Sequence, residues 1–364
     1  MEGRLYSIQI LRFFAAFGVV TAHVAFWTAT LPHQSFVHHS QFGVLGVDVF
    51  FVISGLVMGR IALFRRPQPV PWDFFRDRWL RIAPIYFLLS IPWVLVAVKQ
   101  GQRLIDPTVS ALLFWLPGTH VAIGSAAVAL PFLGVGWTLC FEMLFYCALA
   151  LFLAAPRGAS LVIVIVGTTC AVAFMFVAWP PAAFLGNPMI LEFLAGLAIA
   201  RLTIKPSVVA AITIIGGGVL TAVWGYNWML DHGHEDVGNG VWIFVSGSVW
   251  RRVLIFGPPA VAIVYGTLRL EPWARSRLGG ALAYLGDASY CLYLVHVLVI
   301  YGLALAWPRL GLSSWTFVVA ALAFPISASV VTHEWIEKPL LRALRGKPVG
   351  RMVGGAATID GPAK

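Results

Sequence analysis

Apolar residues run along this chain in stretches of roughly 17 to 25, the length that carries an α-helix across the hydrocarbon core of a bilayer. Ten such stretches predict ten spanning helices: Ile8 to Thr28, Leu45 to Phe64, Ile82 to Val98, Gly136 to Ala155, Leu161 to Val177, Pro188 to Ile204, Val208 to Trp224, Val253 to Leu268, Leu282 to Ala306 and Ser314 to Ile336. The expected fold class is an all-α, polytopic integral membrane protein. Residues 110–131 are apolar but interrupted by Pro117, Gly118, His120 and Gly124, which suits an external re-entrant or interfacial segment. The longest polar outer loop is Gly225 to Arg252; its Asp231, His232, His234, Glu235 and Asp236 show no regular ligand spacing and fit a solvated loop. Residues 1–340 form one membrane-embedded domain, and 341–364 a flexible basic tail.

Composition agrees. Of 364 residues, 60% are hydrophobic and 11% charged, with mean hydropathy +0.86. A soluble domain averages about 25% charged residues, so this chain could not cover a water-facing surface. The net charge of +10 would suggest nucleic acid in a soluble protein, but in a membrane protein basic residues concentrate in cytosolic loops. With the N-terminus inside, Arg4, Arg60, Arg76, Arg78, Arg81, Arg269, Arg275, Arg277 and the basic tail all lie on or near the cytosolic side. Only Lys99, Arg103, Arg251, Arg252 and Arg309 fall outside. Topology therefore explains the charge, puts both termini in the cytosol, and leaves no role for nucleic acid. Cys140, Cys147, Cys170 and Cys291 all fall in apolar segments without metal-ligand or disulfide spacing, as packing residues do, and no metal is expected. The first apolar run contains Arg12 and lacks a small-residue cleavage site, so it reads as a retained helix.

Arg12 and His23, eleven residues apart in that first run, share one helix face and lie roughly 16 Å apart along its axis. Alone, Arg12 would suit a residue that snorkels to the headgroups and His23 a polar core residue. Together they line one track through the bilayer, and intramembrane ionisable groups are functional hypotheses by default. Asp48, Glu142 and Glu192 also sit inside predicted spans, where acids must pair, protonate or face a wet cavity. A hydrated polar chamber inside the bundle follows.

Thr138, Glu142 and Tyr146 fall four apart on one face. Glu142 lies about 9 Å and His23 about 8 Å inward from the outer surface, so the two could meet. A carboxylate on one imidazole nitrogen would fix the tautomer and leave the other to accept a hydroxyl proton; the alternative is an interhelical hydrogen bond of structural value only. Ser289, Tyr293 and His296 share a stripe that either lines the chamber or packs between helices. Arg76, Arg78 and Arg81 form a basic cluster at the entry of the third span, which phosphate binding or topology alone would explain.

In these residues the chain resembles the acyltransferase 3 family, membrane enzymes that acylate hydroxyls of sugars and other extracytoplasmic acceptors. The matching elements are Arg12 with His23, Gly46 to Gly55 (GVDVFFVISG), Arg78 with Arg81 and Pro84, Trp137-Thr138-Leu139 with Glu142, Phe145 and Tyr146, Glu192-Phe193 with Gly196, Ser289-Tyr290 through His296, and Glu337-Lys338-Pro339. They occur in family order across nearly the whole chain. Leu56 stands where the family often has an aromatic, and Asp77 interrupts a stretch that is frequently all basic.

The resemblance implies an O-acyltransferase of the bacterial cytoplasmic (inner) membrane. It would move an acyl group, typically acetyl, from cytosolic acyl-coenzyme A to a hydroxyl of an extracytoplasmic or lipid-linked saccharide. No cofactor is permanently bound; the partners are membrane lipid, acyl-CoA and the saccharide or glycolipid acceptor. His23 and Glu142 would be catalytic, and Arg12, Arg78 and Arg81 would hold the donor. Asp48, Ser54, Trp137, Thr138, Tyr146, Glu192, Tyr293 and His296 would form the substrate chamber. Coenzyme A is anionic and cytosolic, which suits three arginines near that face, and its pantetheine arm is comparable with the roughly 16 Å from Arg12 to His23. The rivals are a proton-coupled transporter or flippase of envelope glycan precursors and a scaffold subunit of a polysaccharide assembly.

Overall fold

The structure, a computed structural model, describes residues 4–28, 43–64, 67–101, 105–114, 118–122, 125–128, 131–155, 169, 184–202, 206–233 and 246–345. The helices are α1 (Tyr6–Thr28), α2 (Leu45–Met58), α3 (Pro71–Lys99), α4 (Ile105–Leu113), α5 (Trp137–Ala154), α6 (Ile190–Arg201), α7 (Val208–Asp231), α8 (Ser246–Thr267), α9 (Arg277–Asp287), α10 (Ser289–Leu310), α11 (Ser314–Thr332) and α12 (Lys338–Arg345). A π turn, Gly59–Phe64, extends α2, and another, His333–Glu337, joins α11 to α12. Among the described residues, eight helical segments are long and apolar enough to cross a membrane. The protein is an all-α, multi-pass membrane protein. Of the remaining expected spans, Leu161 to Val177 lies outside the described residues, and Pro188 to Ile204 corresponds to the shorter α6.

Helix starts are legible as local chemistry. Ser207, Ser276 and Ser313 each accept a hydrogen bond from a backbone N–H three residues on, capping α7, α9 and α11. Pro71 opens α3 at a position whose N–H needs no partner. Gly311 takes the left-handed conformation, φ +62°, that closes α10. Inside the spans, Pro84, Pro92, Pro258, Pro259 and Pro325 stay helical, as prolines in membrane helices do where neighbours satisfy the freed carbonyls.

Helix α1 runs through the middle of the bundle, packing on α2, α9 and α10, which is why its ionisable residues face protein. Close approach depends on glycine. A Cβ at Gly55 of α2 would sit 2.0 Å from the Phe193 carbonyl oxygen of α6, and one at Gly196 would sit 2.1 Å from the Val52 carbonyl. Backbones this near are held by dispersion, the main attraction between helices that share an apolar solvent. Beside that crossing, Phe51, Phe145 and Phe193 stack with ring centres 4.6 and 4.5 Å apart and fill the core between α2, α5 and α6.

Two sequence expectations are corrected. The span Leu282 to Ala306 is two helices, α9 and α10, broken at Ala288. At the break Asp287 pairs with Arg4 at 2.6 Å, and Gly286 lets the backbone of Gln9 approach; a Cβ there would lie 1.9 Å from the Gln9 carbonyl. The polar loop Gly225 to Arg252 is shorter than expected, because α7 runs on to Asp231 and α8 starts at Ser246. His234, Glu235 and Asp236 lie outside the described residues. Residues 110–131 contain the end of α4 and an antiparallel pair, Gly118–Ala122 with Ser125–Val128. Neither piece is long enough to span, in line with the re-entrant or interfacial reading. Of the expected tail, 341–345 close α12, and 346–364 lie outside the described residues.

Candidate active site

Three arginines meet inside the bundle. Arg12 comes from α1, Arg78 and Arg81 from consecutive turns of α3, and all three line one chamber with Ser54 of α2, Thr138, Glu142 and Tyr146 of α5, and Tyr293 of α10. The space amounts to about 830 Å³, open solvent at the mouth included. The rest of its wall is largely apolar, with Val47, Phe50, Phe51, Ile53, Val57 and Met58 along α2. Apolar walls around several fixed cations lower the local dielectric, which strengthens their attraction for an anion.

Glu142 is the carboxylate among these cations. It accepts a hydrogen bond from Ser54 Oγ at 3.0 Å and a short one from the Tyr146 hydroxyl. The i, i+4 spacing on α5 therefore brings Glu142 and Tyr146 together, as the sequence predicts. The expected contact between Glu142 and His23 is not made among the described residues.

His23 is instead oriented by its own helix. Its Nδ1 lies 2.9 Å from the Val19 carbonyl oxygen, an acceptor only, so Nδ1 carries the proton and Nε2 holds the lone pair. His296 on α10 repeats the arrangement, with Nδ1 donating to the Leu292 carbonyl at 3.0 Å and a buried Nε2 without a protein partner. The two rings meet edge to face, 4.8 Å between centres. The His296 ring centre lies 6.0 Å from that of Tyr293, which lines the chamber, whereas neither histidine is among its lining residues. The Tyr293 hydroxyl donates to the Val135 carbonyl at 3.1 Å and lies 2.9 Å from Thr138 Oγ1.

Asp48, Glu192 and Trp137, expected in the chamber, lie elsewhere. Asp48 is fully buried and paired with Arg252 of α8 at 2.6 Å. The same guanidinium donates to the Val44 carbonyl at 3.1 Å. Glu192 of α6 lies against Asp48 and within electrostatic reach of the same guanidinium at the meeting of α2, α6 and α8, but neither of its carboxyl oxygens has a hydrogen-bond partner among the described residues. Trp137 packs edge-on to Phe51 and Phe141 in the aromatic core. Arg252, at the edge of the predicted outer loop, is a functional residue that hydropathy does not single out; the signal for it is an arginine directly abutting an apolar run while two acids in other spans lack partners. Ser289, which shares the stripe of Tyr293 and His296, also lines the chamber, as does Tyr290, which the sequence singles out only as a member of a motif.

The chain matches the family profile described as an acyltransferase domain over residues 5–334. It is 34% identical over 326 residues to the exopolysaccharide production protein ExoZ of Rhizobium meliloti, covering 88% of this chain and 96% of that one. It is 26% identical over 388 residues to the acyltransferase MdmB of Streptomyces mycarofaciens, covering 95% of this chain and 94% of that one. No solved structure matches it. With a match that runs from the start of α1 to the end of α11 and takes in every residue of the chamber, the chain belongs to the acyltransferase 3 family and is a multi-pass membrane enzyme that transfers acyl groups.

Proposed function

We propose that this enzyme transfers an acetyl group from cytosolic acetyl-coenzyme A to a hydroxyl of an extracytoplasmic or lipid-linked saccharide, in the cytoplasmic membrane of a bacterium with both chain termini in the cytosol. The observation that carries this reading is the convergence of Arg12, Arg78 and Arg81 on one chamber, with the His23–His296 pair in contact with the chamber residue Tyr293. Guanidinium groups bind phosphates through charge-assisted, often paired hydrogen bonds. They hold the nucleotide end of the donor, and the pantetheine arm extends along the apolar wall of α2 towards the imidazoles. The saccharide acceptor is supported by the likeness to a relative named for exopolysaccharide production.

The acceptor hydroxyl donates to His23 Nε2, loses its proton to it, and attacks the thioester carbonyl carbon. A C–O bond forms, the C–S bond breaks, and coenzyme A leaves with the proton from His23 on its sulfur. General-base assistance of this kind contributes about 10²- to 10⁴-fold. Glu142, held by Ser54 and Tyr146, keeps the chamber polar between the arginines and the reacting centre.

The test is acetyl transfer from labelled acetyl-CoA to a total envelope glycan and glycolipid extract by the purified protein in liposomes. His23→Ala is expected to lose transfer by at least about a hundredfold while binding of coenzyme A, measured by calorimetry, persists. Near wild-type transfer by that variant would remove His23 from the reaction. Absence of donor binding by the wild type would return the transporter and scaffold readings.

A further inference from the structure

Away from the chamber, three ligand-type side chains come together where the first turn of α10 meets the end of α11. Cys291 is fully buried, and His333 and Glu337, on the π turn, are 8% and 5% exposed. Glu337 Oε2 accepts from Cys291 Sγ at 3.0 Å and lies 2.6 Å from His333 Nδ1. The three ligand atoms all lie within 4.8 Å of one another. We propose that Cys291, His333 and Glu337 bind a zinc-type divalent cation that fastens α10 to the C-terminal helices.

The donor set is the one such an ion takes: thiolate, imidazole and carboxylate. Zinc–ligand bonds of about 2.0 to 2.3 Å place neighbouring ligand atoms about 3.5 Å apart in a tetrahedron. The hydrogen-bonded atoms need to spread by less than about 1 Å to admit the ion. Charge argues the same way. A dication with one thiolate, one carboxylate and one neutral imidazole sums to zero, so the ion adds no net charge to the buried cluster. On binding, the thiol proton leaves to solvent, the imidazole bonds through Nδ1 with its remaining proton on Nε2, and a water completes the fourth position. Two of the three ligands stand four residues apart on a π turn, a distortion of the helix that concentrates at functional sites.

The site is structural in character, because none of its ligands faces the chamber. It nevertheless bears on the chamber wall. Cys291 follows Tyr290, which lines the chamber and donates to the Ile82 carbonyl of α3 at 2.7 Å. An ion on Cys291 therefore holds the turn that carries Tyr290 in register with the arginine-bearing helix.

The experiment uses the full chain purified through a tag free of histidine, equilibrated with zinc, passed over a chelating column and analysed by elemental mass spectrometry. About one zinc per chain is expected, with about tenfold or greater loss of affinity in Cys291→Ser. Cobalt substitution adds a readout that hydrogen bonding alone would not produce: a thiolate-to-cobalt charge-transfer absorption, present in the wild type and absent in Cys291→Ser. Should the variant fail to fold, the wild-type cobalt spectrum decides alone. A wild-type protein that retains no metal, or binds cobalt without the thiolate band, overturns the proposal.

Discussion

Replacing Arg252 by methionine removes the guanidinium that is ion-paired with the buried Asp48 and lies beside Glu192, and leaves an apolar side chain of comparable reach. Its expected cost follows from desolvation. The Arg252 and Asp48 side chains are 4% and 0% exposed, so neither group can recover hydration when its partner is lost. Breaking a buried pair by removing one member costs about 3–5 kcal/mol, against about 0.2–1 kcal/mol for a pair at the surface. The Val44 carbonyl also loses its donor. The folded-to-unfolded ratio should therefore fall by about two to four orders of magnitude. The assay is equilibrium unfolding by SDS in mixed micelles, followed by tryptophan fluorescence. The same substitution in an Asp48→Leu, Glu192→Gln background should cost much less, because no carboxylate remains facing the missing cation. If Arg252→Met lies within about 1 kcal/mol of wild type, the pair is hydrated and the structural role assigned to Asp48 fails.

Two further outcomes are expected. Arg81→Met removes a cation from the donor end of the chamber while leaving the imidazoles untouched; a charge-assisted hydrogen bond is worth about 1.5–3 kcal/mol, so KM for acetyl-CoA should rise by about 10- to 150-fold with a smaller change in kcat, and an unchanged KM would detach Arg81 from donor binding. Gly55→Ala places a methyl group 2.0 Å from the Phe193 carbonyl, forcing α2 from α6 at a cost of at least about 1–3 kcal/mol; fluorescence-detected size exclusion of the detergent-extracted protein should show loss of the folded peak, and a wild-type profile would mean that the helices have room to part.

The membrane spans were legible because hydropathy reports the solvent of each residue, and a hydrocarbon core of fixed thickness sets their length. What it did not report is where a helix ends inside an apolar run. The break at Ala288 depends on Asp287 meeting Arg4, and on Gly286 meeting Gln9, both far away in sequence. The chamber was legible to the extent that polar residues share a helix with each other. Arg78 with Arg81, and Glu142 with Tyr146, follow from helical spacing and are brought together as expected. Partners on different helices did not follow. Asp48 reads as a chamber residue in the sequence because its counter-ion Arg252 stands at the edge of a predicted loop, and Glu192 because its neighbour Asp48 lies on another helix. Cys291 looked like packing because its neighbours His333 and Glu337 lie more than forty residues on.

The orientation of His23 shows why the carboxylate was not needed where the sequence suggested it. An imidazole in an apolar helix must satisfy an N–H, and the nearest acceptor is the carbonyl one turn back, whose second lone pair remains available while its first serves the helix. His23 uses Val19 and His296 uses Leu292 in the same way. Each tautomer is therefore fixed within a single helix, independent of how α1 and α5 are spaced. Both lone pairs are left to the junction of α1 and α10, where no group among the described residues donates to the buried Nε2 of His296. Glu142 is free to take two hydroxyl donors beside the arginines. The charge that lines the chamber and the imidazole pair are thereby held by separate contacts, so that in the proposed reaction the groups that grip the donor and the base that activates the acceptor would be set independently.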